Sequence, residues 1–405
     1  MIVYPGSFWA NWLRTLALGA VAIALAVVAT RDAIVQSTAR ARPEVALGID
    51  GTNAIALNSD FKSRLAAQPD APIPVSQWAE RARAALLTTP LSTPMLRMVS
   101  AAPGHKQPQE TLHLAERLSR RDALTQLALI ETAVNAGKVD AALVHYDHAL
   151  SIYPDMRSLL FPILTNGIRE PEIQQGVIAL ARQQRPWINA FFTFAVQSTD
   201  APEAMARTLA ALDHGPGALP NAHTHEAVLA KKLADTGQYA LARRIAMRAA
   251  GDDAAAIDRP GISPATWAQA TRPLTWSPTE DDSINAQLET DDSLSISILP
   301  GRSGLAIFRM LVLAPGSYRF AAGMTTPQDL IAAHGQWGFI CLRAAGEPGF
   351  SLATVPANPD KAASTALVTV PKECAAVRMD FTIDNINGSS EAGVLLHDVS
   401  LSPAH

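Results

Sequence analysis

The period of the apolar residues changes once along this 405-residue chain, close to Gly261. Before this point apolar residues recur at the spacing of amphipathic helices, and after it they alternate in short runs bounded by turn residues. The helical period and the alternating period place the apolar side chains on one face of different elements, so a segment with one period does not form the other element. The sequence therefore predicts a multidomain α-then-β protein, with an N-terminal transmembrane helix, an α-solenoid of helical hairpins and a C-terminal antiparallel β-sandwich.

Four segments follow from this change of period. We predict a membrane anchor or signal peptide at 1–31, a helical repeat domain at 32–258, a linker at 259–278 and a β-sandwich domain at 279–405. The chain is 48% hydrophobic and 17% charged, with a formal net charge of -4 and no basic stripe. This composition excludes a disordered chain and argues against a nucleic-acid partner.

The N-terminal segment is apolar enough to enter a membrane. Residues 16–30 carry no charge, and with Arg14 snorkelling the span from Phe8 reaches about 23 residues, enough to cross roughly 30 Å of hydrocarbon. Phe8, Trp9 and Trp12 are then expected at the headgroup level. A signal peptide cleaved near the small residues 27–29 is one alternative, and a buried helix is another.

We favour a single-pass anchor in a bacterial inner membrane with the bulk of the chain in the periplasm. An N-terminal span followed by a long domain is the usual plan of an anchored extracytoplasmic protein. Arg31, Arg40 and Arg42 follow the span and favour the opposite orientation, so a cytoplasmic location stays open.

Two segments of the helical part share one pattern, 100 residues apart. In each, a glycine ends one helix, alanines let a second helix approach closely, and a tyrosine packs beside them. The residues assigned to this role are Gly137, Ala142, Tyr146, Ala149 and Pro154 in the first segment, and Gly237, Tyr239, Ala242 and Ala249 in the second.

The spacing of prolines supports a repeat. Pro90, Pro154 and Pro186 are 64 and 32 residues apart, which indicates a period of about 32 to 34 residues. With the pattern above, this part of the chain resembles the tetratricopeptide repeat family. Gln126 and Glu226 replace that family's first-helix aromatic residue, so other helical-hairpin solenoids stay open. The resemblance implies a superhelix that binds an envelope protein or peptide on its concave face.

Nine short alternating runs after Gly261 predict a jelly roll. Residues 393–401, GVLLHDVSL, resemble the last strand of carbohydrate-binding jelly-roll modules, and residues 311–320 resemble their central hairpin. This resemblance implies polysaccharide binding on exposed aromatic side chains, and the candidates are Trp276, Trp337, Tyr318 and Arg319. Core packing is the better interpretation for Trp337, because both faces of its strand are apolar, and the alternation of Tyr318 with Phe320 likewise suggests a core position.

The two cysteines, Cys341 and Cys374, both fall in predicted strands of the sandwich. A disulfide between them agrees with an oxidising periplasm if their Cα atoms come within about 7 Å. Two buried free thiols are the alternative.

No catalytic motif of the nucleophile-elbow, P-loop, zincin or Rossmann type occurs in the sequence. The cluster His223, Thr224, His225 and Glu226 could bind a metal but is interpreted as a solvated polar run at a helix start, and His145 and His148 are interpreted as a polar helix face. The acidic pairs 281–282 and 291–292 are the best candidates for calcium, although turn residues explain them equally well. We therefore predict no metal and no cofactor.

The order of anchor, helical repeats and sandwich resembles a group of bacterial envelope proteins associated with exopolysaccharide export. The resemblance implies a non-enzymatic membrane-anchored scaffold, with a protein partner on the repeats and a polysaccharide or protein on the sandwich. A polysaccharide-modifying enzyme with accessory repeats and a structural component of a secretion complex are the alternatives.

Overall fold

A computed structural model describes residues 6–67, 75–212, 217–343, 347–359 and 363–404. The side chains of 6–11, 13 and 75 are outside this description, so the interpretation of Phe8 and Trp9 as headgroup residues lies outside it too. The described residues form fourteen α-helices followed by eleven β-strands. The predicted α-then-β order is confirmed.

The chain divides into two compact units, Met1–Met156 and Arg157–His405. The first unit is helical, and the second contains the remaining helices and both β-sheets. Helices of the first unit are α1 (Gly6–Thr38), α2 (Pro43–Ile49), α3 (Ala54–Ala67), α4 (Val75–Thr88), α5 (Thr93–Ser100), α6 (Pro108–Leu118), α7 (Ala123–Asn135) and α8 (Val139–Ile152).

Helix α1 combines an uncovered apolar band with a packed C-terminal end. Residues Arg14–Thr38 are long and apolar enough to cross a membrane, a test of length and composition that a signal sequence also passes. Leu18, Ile23 and Leu25 are each at least 64% exposed. At the other end Val35 is buried in a small core, and the Arg31 guanidinium donates to the Ile49 carbonyl over 2.8 Å.

The second unit begins with α9 (Arg157–Gly167), α10 (Pro171–Arg182), α11 (Ile188–Ser198), α12 (Pro202–Leu212), α13 (Ala222–Asp235) and α14 (Tyr239–Ala250). Helices α10 and α12, like α2 and α6 in the first unit, start with proline at the first helical position, where its missing N–H costs no hydrogen bond. Phe161, Trp187 and Phe191 form an aromatic cluster between α9 and α11.

The two helical hairpins singled out by their spacing have the same turn. Gly137 and Gly237 adopt φ angles of 68° and 79°, which favour glycine over any residue with a Cβ. Lys138 N donates to Ala133 O over 2.9 Å, and Gln238 N donates to Leu233 O over 2.8 Å. Each of these bonds closes the end of the first helix of its hairpin, where the chain reverses direction.

The remaining repeat residues occupy several environments. Ala142, Tyr146, Ala149 and Ala242 are buried where α7 meets α8 and α13 meets α14. Tyr239 and Ala249 are half-buried on α14, and Pro154 is exposed in a 3-10 turn after α8. The assignment of these hairpins to the tetratricopeptide repeat family stays a prediction.

The strands are β1 (Ser277–Pro278), β2 (Ile284–Leu288), β3 (Leu294–Ile298), β4 (Ser303–Leu311), β5 (Gly316–Thr325), β6 (Ile331–Ala332), β7 (His334–Leu342), β8 (Phe350–Ala357), β9 (Ser364–Val370), β10 (Ala376–Asp384) and β11 (Ala392–Pro403). They form a five-stranded sheet in the order β1-β4-β10-β7-β8 and a second sheet in the order β2-β3-β11-β5-β9, with β6 beside β11. All pairs are antiparallel except the short pair of β6 and β11.

The inner faces of the two sheets share one core. Trp337 on β7 lies opposite Phe381 on β10, and its ring centroid is 5.3 Å from that of Phe320 in the other sheet. Cys341 and Cys374 are joined by a disulfide in this core, with 5.3 Å between their Cα atoms. The disulfide closes a segment of 33 residues and holds β7 to the turn before β10.

The segment predicted as a linker, 259–278, packs on the sandwich. Thr271, Leu274, Thr275 and Trp276 in this segment are each at most 3% exposed, because the segment ends in β1, which pairs with β4 at the edge of the sheet. It therefore contributes to the core of the second unit.

Candidate functional site

A groove of about 890 Å³ lies in the second unit, between helix α13 and the outer face of the five-stranded sheet. Ligand-binding clefts in proteins have volumes of about 300 to 1,000 Å³, so the groove has the size expected of such a site. Its lining comes from three segments: α13 and the end of α14, the segment 269–280, and strand β4. The charged and large apolar residues of the lining are His223, Lys231, Asp235, Arg272, Glu280, Leu305, Phe308 and Met310.

Strand β4 provides the apolar floor of the groove. Side chains alternate along a strand, so Ile307 and Arg309 point inward while Phe308 and Met310 point outward. Phe308 and Met310 are half-buried, which leaves part of each side chain open to a ligand. An outward aromatic ring beside methionine is an apolar platform with a defined position.

Helix α13 provides the charged wall. The Lys231 ammonium pairs with the Asp235 carboxylate over 2.8 Å, one helical turn apart, and both side chains are more than half exposed. Such an exposed pair contributes little to stability, so both groups are available to a ligand.

The start of α13 is fixed by contacts to α14 and α11. Glu226 is 1% exposed, and its carboxylate accepts from Arg248 Nε over 2.7 Å. His225 lies against the Phe192 ring and bonds to Asn189 Oδ1 over 3.2 Å. Burial lowers the pKa of His225. Both histidines of the pair lie at the start of α13, but His225 is buried, so its interpretation as a solvated residue is wrong.

Arg272 closes the groove at the segment 269–280. Its guanidinium lies 5.3 Å from the centroid of the Trp267 ring, and its Nε donates to the Trp276 carbonyl over 3.1 Å. Burial lowers the pKa of Arg272. The groove thus carries Lys231 and Arg272 as cations and Asp235 and Glu280 as anions, and these charges balance.

The predicted sugar-binding residues lie elsewhere. Trp276 and Trp337 are fully buried, so both predictions of ligand contact are wrong; the inner faces of the sandwich need large aromatic side chains to fill them. Tyr318 is half-buried and its hydroxyl donates to the Ala314 carbonyl over 2.8 Å. Arg319 is exposed on β5, in the sheet that does not form the groove.

The acidic pairs belong to turns. Asp281 accepts from the backbone and hydroxyl of Ser283, and Asp291 accepts in the same way from Ser293. The hydroxyl bonds lower the pKa of both carboxyls. These contacts support the turn interpretation rather than a calcium site.

The residues of the groove were missed at the sequence level, although one signal for them exists. Residues 306–313, AIFRMLVL, carry apolar side chains on both faces of the strand, whereas a solvated outer face would show polar residues. This pattern indicates a covered outer face. It does not identify α13 as the cover, since that helix lies about 70 residues earlier in the chain.

The first unit contains a separate groove of about 470 Å³. Its lining is mostly apolar and comes from helices α3 to α7, with Phe61, Trp78, Leu112, Leu124 and Leu127 as the largest side chains. Arg97 lies at its edge, where the guanidinium is 5.1 Å from the Phe61 ring and bonds to Asp122 over 3.2 Å.

No protein family and no curated protein matches the chain. Several solved structures are similar to part of it, and three of them have a TM-score of 0.23. The first is the enzymatically active domain of tailspike protein 4 of bacteriophage CBA120, 11% identical, covering 32% of this chain and 19% of that one. This chain therefore spans about a fifth of the tailspike chain.

The other two are carbohydrate-binding modules. A CBM4 module is 13% identical and covers 29% of this chain and 88% of that one. The module TmCBM61, solved in complex with beta-1,4-galactotriose, is 9% identical and covers 36% of this chain and 92% of that one.

Proposed function

We propose that this protein is a non-enzymatic, membrane-anchored carbohydrate-binding scaffold, and that the groove between α13 and β4 holds a neutral glycan. The observation that carries the proposal is the half-buried Phe308 ring on the floor of a groove that the Lys231–Asp235 pair also lines. A sugar ring has one apolar face of C–H groups and an edge of hydroxyls. Phe308 and Met310 suit that face, and the charged side chains suit the hydroxyls.

The balance of charge favours an uncharged glycan. Two cations and two carboxylates line the groove. A polyanion would be attracted by the cations and repelled by the carboxylates. Sugar hydroxyls both donate and accept hydrogen bonds, and therefore use both kinds of side chain.

A panel of neutral oligosaccharides, titrated calorimetrically into the full chain in detergent, tests the proposal. We expect binding that Phe308→Ala weakens at least tenfold, which corresponds to about 1.4 kcal/mol. Phe350→Ala is the matched control, because Phe350 is an aromatic residue of the same sandwich that is 36% exposed and does not line the groove. Absence of binding, or equal loss in both variants, contradicts the proposal. Shortened glycans after incubation support the polysaccharide-modifying enzyme instead.

The apolar groove of the first unit supports the second part of the scaffold role, binding of an envelope protein or peptide. Leu127 lines this groove and is half-buried, so part of its side chain is open to an apolar side chain of a partner. Leu127→Asp should abolish co-purification of a partner from envelope extracts, whereas Leu87→Asp, at a leucine 87% exposed and outside the groove, should leave it unchanged. Equal recovery with both variants contradicts this role.

The periplasmic side of a bacterial inner membrane and a place in exopolysaccharide export belong to the same proposal. The apolar band of α1 and the disulfide of the sandwich support an exported, anchored chain. An alkaline phosphatase fusion after residue 261 tests the side of the membrane, because that reporter is active only when exported. An inactive fusion places the bulk of the chain in the cytoplasm.

A further inference from the structure

Three side chains of the first unit converge although they come from two helices. Glu116 lies on α6, and His145 and His148 lie three residues apart on α8. One ligand atom from each lies within 4.8 Å of the others. We propose that Glu116, His145 and His148 form a binding site for a divalent transition-metal ion of the zinc class, which joins α6 to α8.

The two distances from the Glu116 carboxylate to the histidine nitrogens are close to those of a metal site. Glu116 Oε1 is 3.4 Å from His145 Nδ1 and 3.7 Å from His148 Nδ1. In a tetrahedral zinc site with bonds of about 2.0 to 2.1 Å, neighbouring ligand atoms are about 3.3 to 3.4 Å apart. The Glu116–His145 distance already has this value, and the Glu116–His148 distance needs a shift of a few tenths of an ångström.

His148 gives an independent indication. Its Nδ1 atom is buried and makes no hydrogen bond among the described residues. A buried polar atom without a partner costs free energy, and a cation at this position would remove that cost. The ring faces the same carboxylate oxygen as His145, so the unpartnered nitrogen is directed at the site.

The donor set selects the class of ion. Two imidazole nitrogens and one carboxylate oxygen suit zinc and the neighbouring first-row metals, whereas calcium and magnesium prefer oxygen ligands alone. Three protein ligands leave the fourth tetrahedral position to a water molecule or to another side chain. His113 is the nearest candidate for that position, since it lies one turn before Glu116 with its Nδ1 3.6 Å from Glu116 Oε2.

One existing contact has to give way. Gln126 Oε1 lies 2.9 Å from His145 Nδ1, where it accepts a hydrogen bond. A metal ion at Nδ1 displaces the proton of this bond, and the neutral ring then carries its single proton at Nε2. The exchange trades one hydrogen bond for a coordinate bond at a nitrogen that stays buried.

The test uses the untagged full chain in detergent, freed of metal by chelation and then titrated with zinc or cobalt(II). We expect one zinc ion per chain, a rise in the melting temperature of the helical unit, and visible d–d absorption of cobalt(II) in a tetrahedral site. Glu116→Gln and His148→Ala should each weaken binding more than about 100-fold, as loss of a ligand costs more than the 10- to 100-fold of an outer contact. Circular dichroism of both variants without metal verifies that they fold.

The matched control is His397→Ala. His397 also pairs with a carboxylate, that of Asp398, over 2.9 Å. This pair lies on the sandwich and is not part of the cluster of Glu116, His145 and His148. Zinc binding should be unchanged in this variant. A wild-type chain that binds no zinc, or folded Glu116→Gln and His148→Ala variants that bind it as the wild type does, would overturn the proposal.

Discussion

The guanidinium of Arg309 lies 5.5 Å from the centroid of the Trp276 ring, inside the second unit. Arg309 is fully buried on β4, and it donates to the carbonyls of Ala256, Ile257, Arg259 and Leu274. Burial lowers the pKa of Arg309 to about 9, and the Asp258 carboxylate opposes this shift. One charged side chain therefore joins the strand, the end of the helical region and the segment 259–278.

Loss of this guanidinium should destabilise the second unit strongly. We expect Arg309→Met to lower the free energy of unfolding by about 3 kcal/mol or more, because the carbonyls that accept from Arg309 lose their partner in a buried place. Urea denaturation followed by tryptophan fluorescence measures the change. Arg319→Met, at an exposed arginine of the same sandwich, should stay within about 0.5 kcal/mol. Equal effects of the two substitutions would contradict the role of Arg309.

The disulfide should contribute measurably to the sandwich. Replacing both Cys341 and Cys374 with alanine should cost about 2 to 4 kcal/mol, because the bond restricts a 33-residue segment of the unfolded chain. Denaturation with and without dithiothreitol should reproduce the difference in the wild type and show none in the double variant. Maleimide labelling of the unreduced, unfolded wild type would show that the bond does not form.

Two glycines should respond differently to a methyl group. Gly137 has φ 68° with open space around the position of a Cβ, so Gly137→Ala should cost about 1 kcal/mol through backbone strain alone. Gly217 has φ 77°, and a Cβ there would lie 2.2 Å from the Arg182 carbonyl oxygen. Gly217→Ala should therefore cost clearly more, and thermal denaturation of the two variants tests the order. The reverse order would contradict this reading of the two turns.

The stability of the second unit should fall at mildly acid pH. Burial holds the pKa of His225 below the 6.5 of an exposed histidine, so the unfolded chain binds the proton more readily. Above pH 6.5, His225 is neutral in both states and the second unit keeps its full stability. Below pH 6.5 this stability decreases, and the decrease is complete once the pH is below the lowered pKa of the folded state. His225→Gln should flatten the profile of unfolding free energy below pH 6.5, because glutamine does not titrate in this range. An unaltered slope in His225→Gln would refute the prediction.

The apolar band of α1 should tolerate no charge at its centre. Ile23→Arg should reduce the fraction of chain that resists carbonate extraction from membranes, since an arginine at the centre of a span costs about 2.5 to 3.5 kcal/mol. Ile34→Arg is the control on the same helix, near the end that packs against α2 and α3. Mass spectrometry of the mature chain separates an anchor from a signal peptide: an anchor retains Trp12, and a cleaved signal peptide removes it.

The sequence was most informative where one residue type meets one backbone requirement. Gly137 and Gly237 were assigned to helix ends from spacing alone, and both have the positive φ that this position favours. The order of helices and strands followed from the apolar period. The aromatic residues were harder, because a tryptophan in a strand that is apolar on both faces fits a core and a platform equally. Trp276 and Trp337 are fully buried and Phe308 is half-buried, and this difference depends on the packing of strands and helices that are distant in sequence.

The continuity of α1 has a mechanical consequence. No proline or other break interrupts the helix between the exposed band and Val35, which is buried in the first unit. In a bilayer, the eight residues from Arg31 to Thr38 would extend about 12 Å beyond the hydrocarbon at 1.5 Å per residue. A chain attached in this way is connected to the membrane by a continuous helix and not by a flexible linker. A force on the first unit would therefore be transmitted to the membrane-spanning part of α1.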